Sequence, residues 1–516
     1  MENNGNTRFF RVPGSDREYD RNKLLLVLLV SLVISLIQVS SVNNLLPVIT
    51  LDLHAERSDL QWVLSGYALL FGLALVPAGR LGDIFGRSMT WMIGVAIFTL
   101  GCVLCGSATT PTILNLARAL QGLGAGVFSP QVTGLIQQFF SGHARAKAFS
   151  YMGLAISASV AVGPLISGSL VQFLGNAGWR WSFFFNVPLG LLGIVLGFFW
   201  LPFSKERRTI GPSASAANRE YRAKQRARGR KPARKRGDRI DLDPIGMLLL
   251  TVSVLGIMLP FMTDYSWRWF MLLGAVVLMA VWVWWEGYYP KRGGIPMVNL
   301  KLFSIESFSY GVAIAGIQFL GTTSVFVVLA LVFQQGLGFS ALMAGLIGLP
   351  NALLSAYFAV WSGKRAVTHG RRLQTDALLI MFVSLLASIG VAWGVLTAGW
   401  NPWWIMVPIG FFGIGQGIMG SVNQTVTMSD VPRAHGGTAG GIQQTAQRIT
   451  TAIGNAMITA ILFTFVSDQD NASLHDWAIG YAGSIGTICV IVACSLILAF
   501  IFQRRPLQPA PADRGD

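Results

Sequence analysis

Two arginines, Arg118 and Arg448, fall inside long apolar stretches that hold no Asp or Glu near their centres. A charged side chain inside hydrocarbon is costly, so each such residue is a candidate for function. Arg448 follows Gln444 by four residues, and Thr451 and Asn455 continue that spacing. One helical face is therefore polar. Five N–H donors let a guanidinium hold amides or anions. The competing reading of each arginine is a side chain that bonds nearby carbonyls or snorkels to an interface. Gln38, Trp62, Gln318, Gln416 and Asn423 also sit on apolar helices. With Gln444 they combine aromatic and amide groups suited to amphipathic small molecules. Gln416 and Asn423 are two turns apart on one face. Each amide serves equally well as interhelical glue worth about 0.6 kcal/mol.

The acidic residues of the apolar half of the chain lie near helix ends: Asp83, Glu286, Asp376 and Asp430 on one side, and Asp52, Glu56 and Asp59 on the other. Asp83 sits in Gly79-Arg80-Leu81-Gly82-Asp83-Ile84-Phe85-Gly86-Arg87. The glycines allow a tight turn and close backbone approach. Asp83 can pair with Arg80 or Arg87 or cap the following helix. Glu286 has Lys291 and Arg292 within reach along the chain, so a simple helix-end ion pair is one reading of it. A proton carrier needs a titratable group, and the candidates are Asp83 and Glu286, with Asp430 beside them, each more exposed than a midplane carboxylate would be.

These residues must be held by membrane-spanning helices. Of 516 residues, 53% are hydrophobic and 12% charged, about half the charge of a soluble domain. Mean hydropathy is +0.55. A span needs about 20 apolar residues, and fourteen stretches between 24 and 503 qualify. The expected fold is all-α: a polytopic membrane protein with 14 transmembrane helices, as two six-helix bundles (24–203 and 305–503) plus a two-helix insertion (244–290). A cytoplasmic N-terminal tail (1–23), a basic cytoplasmic loop (204–243) and a cytoplasmic C-terminal tail (504–516) complete the plan. The orientation follows from charge. With the N-terminus cytoplasmic, the inner segments hold 34 of the 39 Lys and Arg and the outer loops hold three, Arg57, Arg180 and Arg268. The positive-inside rule then places both termini in the cytoplasm.

The net charge of +16 does not read as nucleic-acid binding, because 14 of the basic residues lie in 204–243. A loop of that kind sits beside anionic lipid headgroups, at about 1 kcal/mol per basic side chain. Cys102, Cys105, Cys489 and Cys494 lie in apolar runs with no histidine cluster, so no metal or other cofactor is expected. Gly415-Gln416-Gly417-Ile418-Met419-Gly420 fits a dinucleotide-binding pattern but has no preceding strand. Its glycines suit close helix packing instead.

The Gly79–Arg87 loop resembles the G-x-L-[AG]-D-x-x-G-R signature of the major facilitator superfamily. Other matches follow in family order. Trp62 and Tyr67 match W-x-x-x-x-Y, Arg118 to Ala125 looks like R-x-x-Q-G-x-G-A, and Gly163-Pro164-Leu165-Ile166-Ser167-Gly168 is similar to the antiporter motif G-P-x-x-G-G. Trp179-Arg180-Trp181, Phe183 and Asn186-Val187-Pro188 match W-R-W-x-F-x-x-N-x-P. In the second half, Gln334, Gln335, Gly345 and Leu349-Pro350 resemble a family stretch, and Gly363, Gly370 and Arg371 a decayed loop copy. The fourteen-helix pattern resembles the drug:proton antiporter branch. The resemblance implies gating by Gly79, Asp83, Gly86 and Arg87, helix-five roles for Gly163 and Pro164, and a monomer. It implies export of drug-like molecules across the cell membrane by alternating access, coupled to protons. Gln38 stands where that branch often carries an aspartate on helix one, so an expected proton carrier is absent. The alternatives are a specific metabolite, lipid or peptide carrier, an uncoupled facilitator, and more remotely a membrane-embedded lipid-modifying enzyme. Two embedded arginines without an embedded carboxylate favour neutral, zwitterionic or anionic substrates.

Overall fold

The computed structural model describes residues 8–12, 17–203, 243–261, 267–292, 294, 296–466 and 472–506. The expected tails lie partly, and the basic loop almost wholly, outside the described residues; of 204–243 only Asp243 falls within them. Two short strands, β1 (Phe9–Arg11) and β2 (Glu18–Asp20), pair antiparallel ahead of the first helix. Helices follow: α1 (Arg21–Leu53), α2 (Arg57–Phe85), α3 (Arg87–Gly106), α4 (Pro111–Phe139), α5 (Gly142–Leu174), α6 (Gly178–Phe184) and α7 (Asn186–Trp200). Next come α8 (Pro244–Met258) and α9 (Arg268–Tyr288). The remainder is α10 (Glu306–Thr322), α11 (Ser324–Leu331), α12 (Ala341–Ile347), α13 (Leu349–Gly363), α14 (Ala366–Thr397), α15 (Met406–Thr427), α16 (Gly436–Phe465) and α17 (Leu474–Arg504).

Local chemistry sets several boundaries. The Asp20 carboxylate accepts from Asn22 N at 2.8 Å and starts α1. Thr110 caps α4 ahead of Pro111, the first-turn position where a missing N–H costs nothing. Ser473 and Asp476 form a reciprocal capping box on α17. Gly86 ends α2 and starts α3 with φ of 108°, a backbone that only glycine adopts without strain.

Twelve stretches among the described residues are long and apolar enough to cross a membrane. One of them, Gly142–Trp200, contains α5, α6 and α7. Three expected single helices are broken, and the 181–202 helix divides at Phe185. The 307–333 helix divides at Thr323, where Thr323 and Ser324 donate to Asn455 on α16. The 341–362 helix divides at Gly348, because Pro350 has no N–H and its ring clashes one turn back.

Apolar packing forms a core around Leu24, Trp91, Phe98, Phe128 and Phe149, and a second around Phe333, Met381, Phe412, Trp477 and Ile488. α8 and α9 pack differently. Leu250, Val254, Met258 and Trp282 meet Leu69 and Val76 of α2, with Ile442 and Ile449 of α16 alongside. The pair therefore lies across the seam between α2 and α16.

Candidate functional site

The Gly79–Arg87 loop is where the two cores are tied together. Asp83 Oδ1 accepts from Arg87 Nε at 2.9 Å and Nη2 at 2.7 Å, and from Gly437 N at 3.1 Å. Asp83 Oδ2 accepts from Thr438 N at 2.9 Å and Thr438 Oγ1 at 2.7 Å. The carboxylate thus caps the first turn of α16, where free N–H groups and the helix dipole favour an anion. Arg87 also donates to Gly134 O, Gln138 Oε1 and Arg433 O. Both side chains are almost fully buried, 3% exposed for Asp83 and 1% for Arg87. A β-carbon on Gly437 would lie 2.7 Å from Asp83 Oδ1 and 2.9 Å from Gly79 O. Glycine is required for this approach.

Further ties lie at the same end. Gln137 Nε2 donates to Met428 O and Val431 O, and Arg145 Nη2 to Ser429 O. Ser129 Oγ donates to Gln444 Oε1 at 2.6 Å, and deeper in, at the middle of α5, Ser157 and Ser355 share a 2.7 Å hydrogen bond. Toward the opposite end, the hydrogen bonds given for described residues stay within one core, as in Asp52 with Trp179 and Arg180. β-carbons on Gly168 of α5 and Gly345 of α12 would meet nothing within 4 Å there. The assembly is latched at the end where α1 begins and α17 ends, the terminal face, and parts toward the distal face.

The proposed cavity residues divide into groups. Arg448 is half-buried on α16, and its guanidinium lies 4.4 Å from the Phe71 ring across the seam. Gln416 is half-buried on α15, and Trp62 is exposed near the distal end of α2. Arg118 is 2% exposed, donates to Val63 O and Gln121 Oε1, and stacks over Tyr67. It holds α2, α3 and α4 together, with Gln121 Nε2 reaching Cys102. Gln38 is buried and accepts from Asn186 Nδ2 at 2.7 Å. Asn423 bonds Gln374 and Gly311 O, and Gln318 contacts Met381 Sδ. These last four face packed interiors in this conformation. Gly163 lets α1 touch α5, with Ser41 Oγ donating to its carbonyl, and Pro164 lies one residue on in α5.

Asp83 and Glu286, expected near helix ends, are both buried, 4% and 2% exposed. Glu286 sits against Asp243 and accepts from Val298 N. Lys291 and Arg292 lie in the next turn and form no ion pair with it, because the chain folds Asp243 and 297–298 over that face of α9. Sequence reasoning also missed Asp243, Gly437 and Thr438. The Gly436-Gly437-Thr438 run after Pro432 is a helix-start signal that an acidic loop could have been matched to.

Among the described residues, this arrangement offers conformational ties between the two cores. Comparison with known proteins agrees. Residues 28–264 and 244–455 match the family model described as Major Facilitator Superfamily. The chain is 30% identical over 460 residues to the probable actinorhodin transporter of Streptomyces coelicolor, covering 88% of this chain and 74% of that one. It is 27% identical over 433 residues to the multidrug resistance protein Stp of Mycobacterium tuberculosis, covering 83% and 73%. It is 26% identical over 426 residues to the tetracenomycin C resistance and export protein of Streptomyces glaucescens, covering 82% and 72%. Among solved structures, the proton:xylose symporter XylE superposes with a TM-score of 0.62 at 17% identity, over 93% of this chain and 94% of that chain. The molecule is a multi-pass membrane transporter and not an enzyme. The chain belongs to the Major Facilitator Superfamily.

Proposed function

We propose that this transporter exports drug-like or amphipathic small molecules by alternating access, with proton influx as the driving force. Export is supported by the printed name of the tetracenomycin C resistance and export protein, and the transporter and multidrug-resistance names of the actinorhodin and Stp relatives fit it. Fourteen spans fit this reading: the twelve apolar stretches, with 142–200 counted as two, plus α4, whose Arg118 and glutamines lower its hydropathy. The units are the 24–203 and 305–503 bundles with 244–290 inserted between them. Both termini are cytoplasmic in this reading, so the latched face is the inner one. The 204–243 loop then meets anionic headgroups, and the protein acts as a monomer.

The observation that carries the substrate class is Arg448. It is half-buried beside Phe71, and no carboxylate lies within the apolar centre of any helix. A cation over an aromatic face suits an anionic or neutral aromatic guest, whereas a lipophilic dication would find nothing to neutralise it. Gln416 and Trp62 complete that side. Asp83 and Glu286 are the coupling carboxylates proposed.

The test uses inside-out vesicles with an imposed pH gradient and a panel of cationic, neutral and anionic amphiphiles. Anionic and neutral compounds should collapse the gradient, and Arg448→Gln should lower anion flux about tenfold, the scale of one charge-assisted contact. Dicationic dyes moving as well as anions would overturn the substrate class. Substrate flux without proton movement would favour the uncoupled facilitator, the second reading, which the amide at Gln38 supports.

A further inference from the structure

The second seam between the cores, where α5 meets α13, carries no counterpart of the Asp83 carboxylate. Counting from Gly363 as from Gly79, the place of Asp83 falls to Val367, which is 45% exposed, and that of Arg80 to Lys364. The two helices still touch closely. A β-carbon on Gly363 would collide with Ser150 Oγ, and one on Gly153 would lie 3.3 Å from the Ala359 β-carbon. Beside these contacts a cleft of about 480 Å³ opens toward the terminal face. Leu154 of α5 lines one wall, and Tyr357, Val360, Trp361, Lys364 and Arg365 line the other.

The cleft has an apolar floor and a cationic rim. Tyr357, Trp361 and Lys364 share one face of α13, opposite Ser362, which bonds Ser421 of α15. Tyr357 is 64% exposed. The apolar span ends at Gly363, so Lys364 and Arg365 stand where hydrocarbon gives way to headgroups. The Arg365 guanidinium lies 4.2 Å from the Trp361 ring, and its Nη1 donates to Trp361 O at 3.2 Å. Its other N–H groups and the Lys364 ammonium make no hydrogen bond or ion pair among the described residues. None of the lining residues is acidic. On α5, Lys147 stands two turns before Leu154 on the same face, with its ammonium 5.7 Å from the Tyr151 ring.

An amphiphile with an anionic head satisfies both parts of this cleft. Lysine and arginine hold a phosphate as point charge and fork, and aromatic rings sit well at the headgroup level. A free phosphate would use the rim and leave the floor empty, and a neutral lipid would do the reverse. We propose that this cleft binds one anionic phospholipid. Its phosphate rests on Lys364 and Arg365 with Lys147 beside it, and its chains run along Leu154, Tyr357 and Trp361 into the bilayer. The headgroup supplies the negative charge that Val367 does not. Because the walls come from both cores, the lipid is held by the latched conformation and released as α5 and α13 part. A ligand that prefers one state shifts the population toward it. The site goes beyond the export reading and depends on neither substrate nor coupling ion. It is also separate from the headgroup contact of the 204–243 loop.

The test is photocross-linking with peptide mapping, on the full chain in phosphatidylcholine nanodiscs. The probe is phosphatidylglycerol with a diazirine on one acyl chain, added as a minor component. Label should land on the peptides that hold Leu154 and Tyr357–Trp361. The same diazirine on phosphatidylcholine should label them about tenfold less, the scale of two basic contacts at a membrane surface. Lys364→Gln with Arg365→Gln should bring phosphatidylglycerol down to the phosphatidylcholine level, and Lys364→Arg with Arg365→Lys should keep most of the labelling. Lys291→Gln with Arg292→Gln removes the same charge from another exposed pair and should change nothing. Asp83→Asn, which loosens the latch, should lower the labelling several-fold. Both leaflets of a nanodisc hold the probe, so the result does not depend on which side the termini occupy. Equal labelling by the two lipids overturns the proposal, as does an equal loss in the Lys291 and Arg292 variant. Displacement by millimolar inorganic phosphate also overturns it and makes the cleft a soluble-anion site. Undiminished labelling in Asp83→Asn overturns the preference for the latched state.

Discussion

Arg87 commits all five of its N–H donors: two to Asp83, and the rest to Gly134 O, Gln138 Oε1 and Arg433 O. A buried ion pair of this kind matters most when one partner is lost. Breaking such a pair costs about 3–5 kcal/mol because the remaining charge stays buried. That cost falls on the latched state alone, since opening lets water reach Arg87. Asp83→Asn should therefore shift the conformational balance toward the open state by about a hundredfold or more and abolish most transport. Protein yield should stay near normal. Gly437→Ala should do the same by a steric route, whereas Gly168→Ala, which would meet nothing within 4 Å, should leave transport within about twofold, as surface changes do. Flux in vesicles and spin-label distances check both, and transport surviving Gly437→Ala would remove the latch from the mechanism. At this scale the sequence was partly legible. The spacing of Gly79, Asp83, Gly86 and Arg87 announced a charged tight turn and resembled a gate. Its receptor, the Gly437–Thr438 turn 354 residues away, is marked only by a helix-start run, because backbone N–H groups carry no signature that names their partner. For Arg118 the residue type marks an embedded charge and leaves two readings open, and only the fold reveals its contacts to Val63 O, Gln121 and Tyr67.

Elements in a membrane show their length and apolarity, so nearly every helix was foreseeable from hydropathy. What hydropathy cannot give is depth of polar side chains or the partner of each face. That is why 341–362 was expected as one helix despite Pro350, and why Glu286 was expected near Lys291 and not against Asp243. The α8–α9 pair is the clearest case. Its apolar runs mark two spans, yet nothing in them says that they cross the α2–α16 seam. The seam contact has a mechanical consequence. Gly256 of α8 lies close to Ala275 of α9, where a β-carbon would come within 2.8 Å of the Ala275 β-carbon. Gly256→Leu should wedge the pair apart, at about 1–3 kcal/mol for overpacking. The expected result is a folded transporter whose latched population shifts and whose thermal midpoint drops by a few degrees. Spin-label distances and a melting curve in detergent check it. An unchanged latch distance would mean that the insertion holds the seam only passively.

The whole molecule is asymmetric along its long axis: ties between the cores gather at the terminal face, and the distal face has none among the described hydrogen bonds. Alternating access requires that this asymmetry reverse during the cycle, so that one side opens only as the other closes. Cysteine accessibility reads both sides in one protein. With Cys494 replaced, the remaining native cysteines, Cys102, Cys105 and Cys489, are buried. Trp62→Cys lies near the distal end of α2 at an exposed position, and Ala78→Cys lies on the same helix at a position 2% exposed beneath the latch. A membrane-impermeant thiol reagent applied to the distal side should label Trp62→Cys quickly. The reagent applied to the terminal side should barely reach Ala78→Cys. Adding Asp83→Asn should invert the pattern, raising labelling at 78 and lowering it at 62, because the same helix cannot be exposed at both ends in a two-state rocker. Whole cells and inside-out vesicles expose opposite faces, so the same two positions also report which side of the membrane the termini occupy. A pore open through its length would label both positions at once in every variant, and that result would rule out alternating access for this chain.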